Sequence, residues 1–162
     1  MSLRTLCDDL QEFGFALAIR ESPWLFPTIE TIHVLALVLV IGSIMMVDCR
    51  LLGIAHRQRS VTRLAGEALP LTWCAFAVAA VAGILLFSSK AATYYDNWPF
   101  RIKMLCLALA GLNMLWFQLR IYPHVAEWDH GDVPFAARAA GGVSLCLWVI
   151  VVAAGRWIGF TT

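Results

Sequence analysis

The sequence predicts an all-α fold: an integral membrane bundle of four transmembrane helices with a peripheral amphipathic helix at its N-terminus. Three observations carry that expectation. Four apolar runs, at about residues 29–52, 69–89, 100–121 and 139–159, approach or exceed the ~20 residues a helix needs to cross a bilayer. The chain is 60% hydrophobic and 14% charged, against about 25% charged residues in a soluble domain. Its mean hydropathy is +0.75. With 162 residues, four spans and their connections use nearly the whole chain, so a single domain is expected. A net charge of +1 gives no case for nucleic acid as a partner. The lipid bilayer is the expected one.

Taken in order, residues 2–22 form the first element. Leu3, Leu6, Leu10, Phe13 and Leu17 recur at three- or four-residue steps, one face of a helix lying on the membrane surface. Gly14 weakens it, and Pro23 and Pro27 close it. Asp8, Asp9 and Glu12 interrupt any apolar core of a signal peptide, and no small-residue cleavage site follows, so none is expected. Trp24, Phe26 and Trp98 suit an aromatic belt at one interface.

Pro27 precedes the first span, and His56, Arg57, Arg59 and Arg63 follow it in an Arg-rich turn. Pro70 falls in the first turn of the second span as its apolar run begins, where a missing N–H costs little. Asn97-Trp98-Pro99 opens the third span and Tyr122-Pro123-His124 ends it. Ala75, Ala79 and Gly83 stand at steps of four in the second span, and small residues both open and finish the fourth. Such faces let helix backbones approach closely in lipid. Asn113, mid-span, is expected to hydrogen-bond across helices.

Four spans put both termini on one side of the membrane. Lys and Arg near the helix ends divide equally between the two sides. The densest cluster, Arg57–Arg63, lies in a short loop, which places that loop in the cytoplasm and both termini in the periplasm of a bacterial inner membrane.

Inside hydrocarbon an ionisable side chain is costly and faces a partner, a cavity or a cofactor. His33, Glu30, Asp48 and Lys103 are therefore the residues of interest. On a helical wheel Glu30 and Asp48 both fall about 60° from His33 on the same side, in one sector that points at a bundle interior. Arg50 points elsewhere, with a stem long enough to snorkel to the interface. His33 lies ~9 Å past Pro27 and Lys103 ~6 Å past Pro99, from the same side of the membrane. One reading is haem b. His33 is then the axial iron ligand, its other ring nitrogen fixed by an acceptor such as Glu30, and Lys103 is a sixth ligand or a group acting on substrate. Arg20, Lys90 and Arg101 lie near the same surface, where they can pair with propionates. The other reading is structural: a hydrogen-bonded His33, Glu30 at a helix N-terminus and Lys103 snorkelling outward.

The stretch from Ser22 to His33, then Val47-Asp48-Cys49-Arg50-Leu51-Leu52-Gly53, then Asn97 to Leu105 with Gly111-Leu112-Asn113, resembles an uncharacterised family of small bacterial four-helix membrane proteins. The resemblance covers nearly the whole chain and implies no assigned activity. More distantly, a His in the first helix and a Lys opening a later one is similar to the HemJ-type protoporphyrinogen oxidases and the CopD-type copper-resistance membrane proteins. The HemJ likeness implies haem b at His33 with Lys103 as a second functional residue, and a membrane oxidoreductase activity. Electron transfer with a quinone or porphyrin-like partner is the resulting functional expectation. A redox partner protein and a second copy of the chain are further candidates.

Rival sites remain open. His56 and His124 both end helices on the opposite membrane side, as a bis-imidazole pair would require. His124-Val-Ala-Glu127-Trp-Asp129-His130 carries a His-x-x-Glu-x-x-His spacing suited to zinc and other divalent metals, or to a solvated loop. Met45, Met46, Met104 and Met114 with Cys49, Cys74 and Cys106 raise copper transport or resistance, since thioether and thiol select Cu(I). Scattered Met and Cys also serve as core filler. A cofactor-free accessory subunit of a membrane complex is the third class.

Overall fold

The computed structural model describes residues 2–55, 58–129 and 131–161. Among these, every regular element is helical: α1 (Leu3–Gln11), α2 (Gly14–Glu21), α3 (Leu25–Leu51), α4 (Val61–Ser89), α5 (Ala91–Asp96), α6 (Trp98–Trp116), α7 (Val125–Trp128) and α8 (Phe135–Thr161). Four helical stretches, Leu25–Leu51, Val61–Ser89, Trp98–Trp128 and Phe135–Thr161, are long and apolar enough to cross a membrane. A helix of 27 residues, such as α3, is about 40 Å long, enough for the hydrocarbon core and both interfaces. The chain is thus an all-α, multi-pass membrane protein. Its outward faces agree: Leu35, Val38, Val81, Ile84, Leu112 and Val149 are all exposed, as lipid-facing residues must be.

The N-terminal segment is not one helix over 2–22. Phe13 adopts an extended conformation (φ −61°, ψ 141°) and separates α1 from α2. Gly14 opens α2, and a glycine favours helix too weakly to carry the chain across that junction. Ser2 caps α1 by accepting from the Thr5 N–H at 3.2 Å. Leu3, Leu6, Phe13 and Phe15 stay exposed along this hairpin.

α4 also departs from the expectation. It begins at Val61, so Pro70 is an interior residue and not a first-turn one. The earlier start has visible causes. Ser60 Oγ accepts from the Arg63 N–H at 3.1 Å, and the Asp129 carboxylate accepts from the Val61 and Thr62 N–H groups. Val61, Leu64, Ala65 and Ala68 meanwhile bury one face. Pro70 forgoes one helical hydrogen bond, the one that would run to Gly66. The third span leaves α-geometry at Phe117. A π turn (Phe117–Ile121) and a 3-10 turn (Tyr122–His124) lead to α7, because Pro123 has no N–H with which to continue the ladder.

α3 packs along α4, α6 along α8, and α3 against α8. Among the described residues the backbones of α4 and α6 do not approach closely, and stacked Phe87 and Phe100 rings, 5.4 Å apart, bridge the two helices at the end with the termini. The bundle is therefore two helical hairpins joined through α3 and α8. Its central layer is Val40, Ala75, Cys106, Trp148 and Val151. A second cluster, including Leu51, Val61, Phe117 and Trp128, fills the end at the α3–α4 loop. At the other end the termini gather: Arg4 pairs with Asp96 at 3.2 Å, and Asn97 Nδ2 donates to Thr161 Oγ1 at 2.8 Å.

Candidate functional site

The polar residues of the spans fall into two groups, one on each side of the central layer. On the side of the termini, His33 is half-buried between α3 and α4. Its Nδ1 lies 2.8 Å from the Ala79 carbonyl oxygen. A carbonyl only accepts, so Nδ1 carries the proton and donates; in neutral imidazole the lone pair is then on Nε2. The sequence offered an acceptor such as Glu30. The structure replaces it with a backbone group of the neighbouring helix, and Glu30 itself is exposed at the start of α3. Ala79 is buried against α3, and the small-residue face of α4 is what brings its carbonyl within reach. Gly83 completes the fit: a Cβ there would come 3.1 Å from His33 Cε1, so only glycine lets the ring lie in this place undisturbed.

Lys103 and Glu30 both lie within electrostatic range of His33. The half-buried Lys103 runs along α8, where a Cβ at Gly155 would stand 3.7 Å from its Nζ. The three residues thus share one end of the bundle, but no hydrogen bond joins them among the described residues. Arg20, Lys90 and Arg101 are exposed at this end. Lys90 Nζ sits over the Phe26 ring at 5.6 Å. Arg101 Nε donates to the Tyr95 carbonyl at 2.8 Å, with its guanidinium over the Tyr95 ring. Nearby, burial first and the Glu30 carboxylate second push the Tyr94 phenol above its usual pKa, so it stays a neutral donor.

The opposite group centres on Asp48, buried at 6% exposure. It lines a cavity of about 200 Å³ between α3, α4, α6 and α8. Ser144 is placed to donate a hydrogen bond to the Asp48 carboxyl, yet Asp48 Oδ2 has no hydrogen-bond partner. Other polar groups of the cavity wall are satisfied internally. Ser43 and Thr72 share a hydrogen bond at 2.7 Å, Thr72 Oγ1 donates to the Ala68 carbonyl, and Asn113 Nδ2 donates across helices to the Ala140 carbonyl at 3.0 Å. Sequence reasoning placed Asp48 in the bundle but missed the hydroxyls of Ser43, Thr72 and Ser144. Their signal was available, since all three are polar residues within apolar runs.

Arg50 does not snorkel freely. It is buried at 6% exposure; its Nε donates to the Arg59 carbonyl at 2.7 Å and its NH2 to the Asp129 carbonyl at 3.3 Å. Asp129 in turn accepts from Thr62 Oγ1 at 2.6 Å. The pair fastens two loops to the end of the bundle.

Of the rival histidines, His56 and His130 lie outside the described residues. His124 is exposed and its Nδ1 meets Glu127 Oε1 at 3.2 Å, a local pair within one turn. Among the described residues no group of three or more His, Cys, Asp and Glu side chains is placed to hold a metal ion. The soft donors scatter: Met45, Met46, Met104, Cys74 and Cys146 are exposed, whereas Cys106 is buried.

No curated protein and no solved structure matches the chain. One family model does, over residues 25–161, which takes in all four spanning stretches, His33, Asp48 and Lys103. The chain belongs to that family, described as "Family of unknown function (DUF6644)".

Proposed function

We propose that the protein is a haem b-binding, cytochrome-like protein of the bacterial inner membrane. It passes electrons between a quinone or porphyrin-like reductant and a partner, and its termini lie on the periplasmic side. The observation that carries this reading is the His33 Nδ1 contact with the Ala79 carbonyl. A ligating histidine has its second ring nitrogen fixed by such an acceptor, which sets the tautomer and the ring orientation. His33 is also the only histidine of the sequence placed within an apolar run. Bound haem supplies one-electron chemistry.

The chain's own residues then divide the remaining work. His33 Nε2 would hold the iron, Gly83 keeps the ring seated, and Lys103 would act as a second ligand or as a substrate-facing group. Lys90 and Arg101 offer positive charge at the end of the bundle where propionates would emerge. The donor chemistry fits: with Nδ1 bonded to the Ala79 carbonyl, His33 Nε2 would be available to hold haem iron. The convergence that a copper path needs finds no support in the scattered Met and Cys residues.

The test is an absorption spectrum of the purified protein from haem-replete cells, oxidised and dithionite-reduced. Wild type is expected to show a Soret band, and His33→Ala to lose it while remaining in the membrane. His124→Ala is expected to keep it. Colourless wild type, or haem retained in His33→Ala, overturns the proposal.

A further inference from the structure

The Asp48 cavity lies on the far side of the central apolar layer from His33. Along α3 the two residues are separated by about 22 Å at 1.5 Å per residue. Three features of this cavity define what it would bind.

Its volume, about 200 Å³, exceeds the ~150 Å³ known to accept benzene and suits one substituted six-membered ring. Its walls are apolar and partly aromatic: Trp73, Phe76 and Trp148 line it, with Trp73 and Phe76 in an edge-to-face pair at 6.1 Å. Its one unmet polar requirement among the described residues is Asp48 Oδ2, a hydrogen-bond acceptor without a donor. A buried acceptor in this state costs free energy that a ligand's O–H recovers.

Access is lateral. α4 and α6 face each other across this cavity without close backbone approach. Trp73 and Phe76 on the α4 side are about half exposed, and on the α6 side a Cβ added at Gly111 would meet nothing within 4 Å. This seam lies within the apolar, lipid-facing part of the bundle, so a molecule entering through it comes from the membrane.

We propose that the Asp48 cavity binds the ring of a membrane-soluble phenol or quinol, whose hydroxyl donates a hydrogen bond to Asp48 Oδ2 while its apolar tail leaves between α4 and α6. Assigning this ligand as the reductant rests on the haem reading above; binding itself does not. Aromatic walls select a ring over a plain acyl chain. With its carboxyl ionised, Asp48 only accepts, and the site then selects the reduced, hydroxylated form over the quinone, which has no hydrogen to donate.

Isothermal calorimetry on haem-free protein in detergent, with tetramethylhydroquinone as the probe, tests this without reference to haem. The hydroquinone is expected to bind at least about tenfold more tightly than its dimethyl ether or tetramethylquinone, the effect of one hydrogen bond to a charged or polar buried group. Asp48→Leu is expected to bring the three ligands level. Ala110→Leu, which fills the cavity from α6 and leaves Asp48 in place, is expected to weaken all three. Equal binding of quinol and ether by wild type overturns the proposal. So does a preference that survives Asp48→Leu, or tighter binding of phenethylamine than of the hydroquinone. A colourless wild type that still distinguishes quinol from ether would remove haem and leave this site standing.

Discussion

The two ends of the bundle are held together by different physics. At the α3–α4 loop, Arg50 and Asp129 are both buried, at 6% and 7% exposure, and both bond backbone groups of other segments. Few of these groups can turn to water, so breaking the network leaves buried donors and acceptors unsatisfied, at about 1–3 kcal/mol each. At the end with the termini, the ion pair is Arg4–Asp96, with side chains 65% and 49% exposed. Exposed pairs of this kind contribute about 0–1 kcal/mol. The Ala92 N–H donates to Gln11 Oε1 at 3.3 Å there as well. One end is locked and the other is latched. The histidine sits at the latched end and the cavity at the locked one.

Three substitutions probe that contrast. The largest expected loss is Asp129→Ala, which removes the acceptor for the Val61 and Thr62 N–H groups and for the Thr62 hydroxyl. Combining a lost cap with buried unsatisfied donors gives a destabilisation of about 2–4 kcal/mol, read as a lower melting temperature by circular dichroism in detergent. A loss comparable to that of a surface residue would show that the loop end is not locked.

Gly83→Leu comes next. A Cβ already meets the imidazole at 3.1 Å, so a larger side chain must displace His33 or part the helices, at about 1–3 kcal/mol. The same melt reads the stability loss. The His33–Ala79 hydrogen bond should break with it, seen as a change in the imidazole nitrogen shifts by NMR; unchanged shifts would show that α4 yields instead. The smallest effect is Arg4→Ala, for which a change of at most about 0.5 kcal/mol is expected and added salt should lower even that. A drop above 2 kcal/mol would make the ends equivalent.

Much of the architecture was legible because hydropathy reports burial in lipid directly. The four spans, the aromatic residues at the ends of α3 and α6, and the inter-helix bond of Asn113 all followed from residue type and spacing. Helix limits were less legible. The start of α4 depends on Asp129, 68 residues from Val61, and no local pattern around Pro70 reports a cap delivered from so far away. The same limit governs the site. His33 was visible as a polar residue in an apolar run, but its partner is a backbone carbonyl, which every residue possesses and no sequence pattern marks. Glu30 was the nearest side-chain acceptor by spacing, and spacing cannot show a carbonyl delivered by another helix. The Asp48 cavity was hidden for another reason: it arises where the backbones of α4 and α6 do not approach closely, and spacing within one helix says nothing about the gap between two.

The layer of Val40, Ala75, Cys106, Trp148 and Val151 has a bioenergetic consequence. None of these side chains is a carboxyl or an imidazole, so the layer offers no relay of the kind that carries protons through a pump. A proton exchanged at His33 would therefore pass by the side of the termini, and one at Asp48 by the side of the α3–α4 loop.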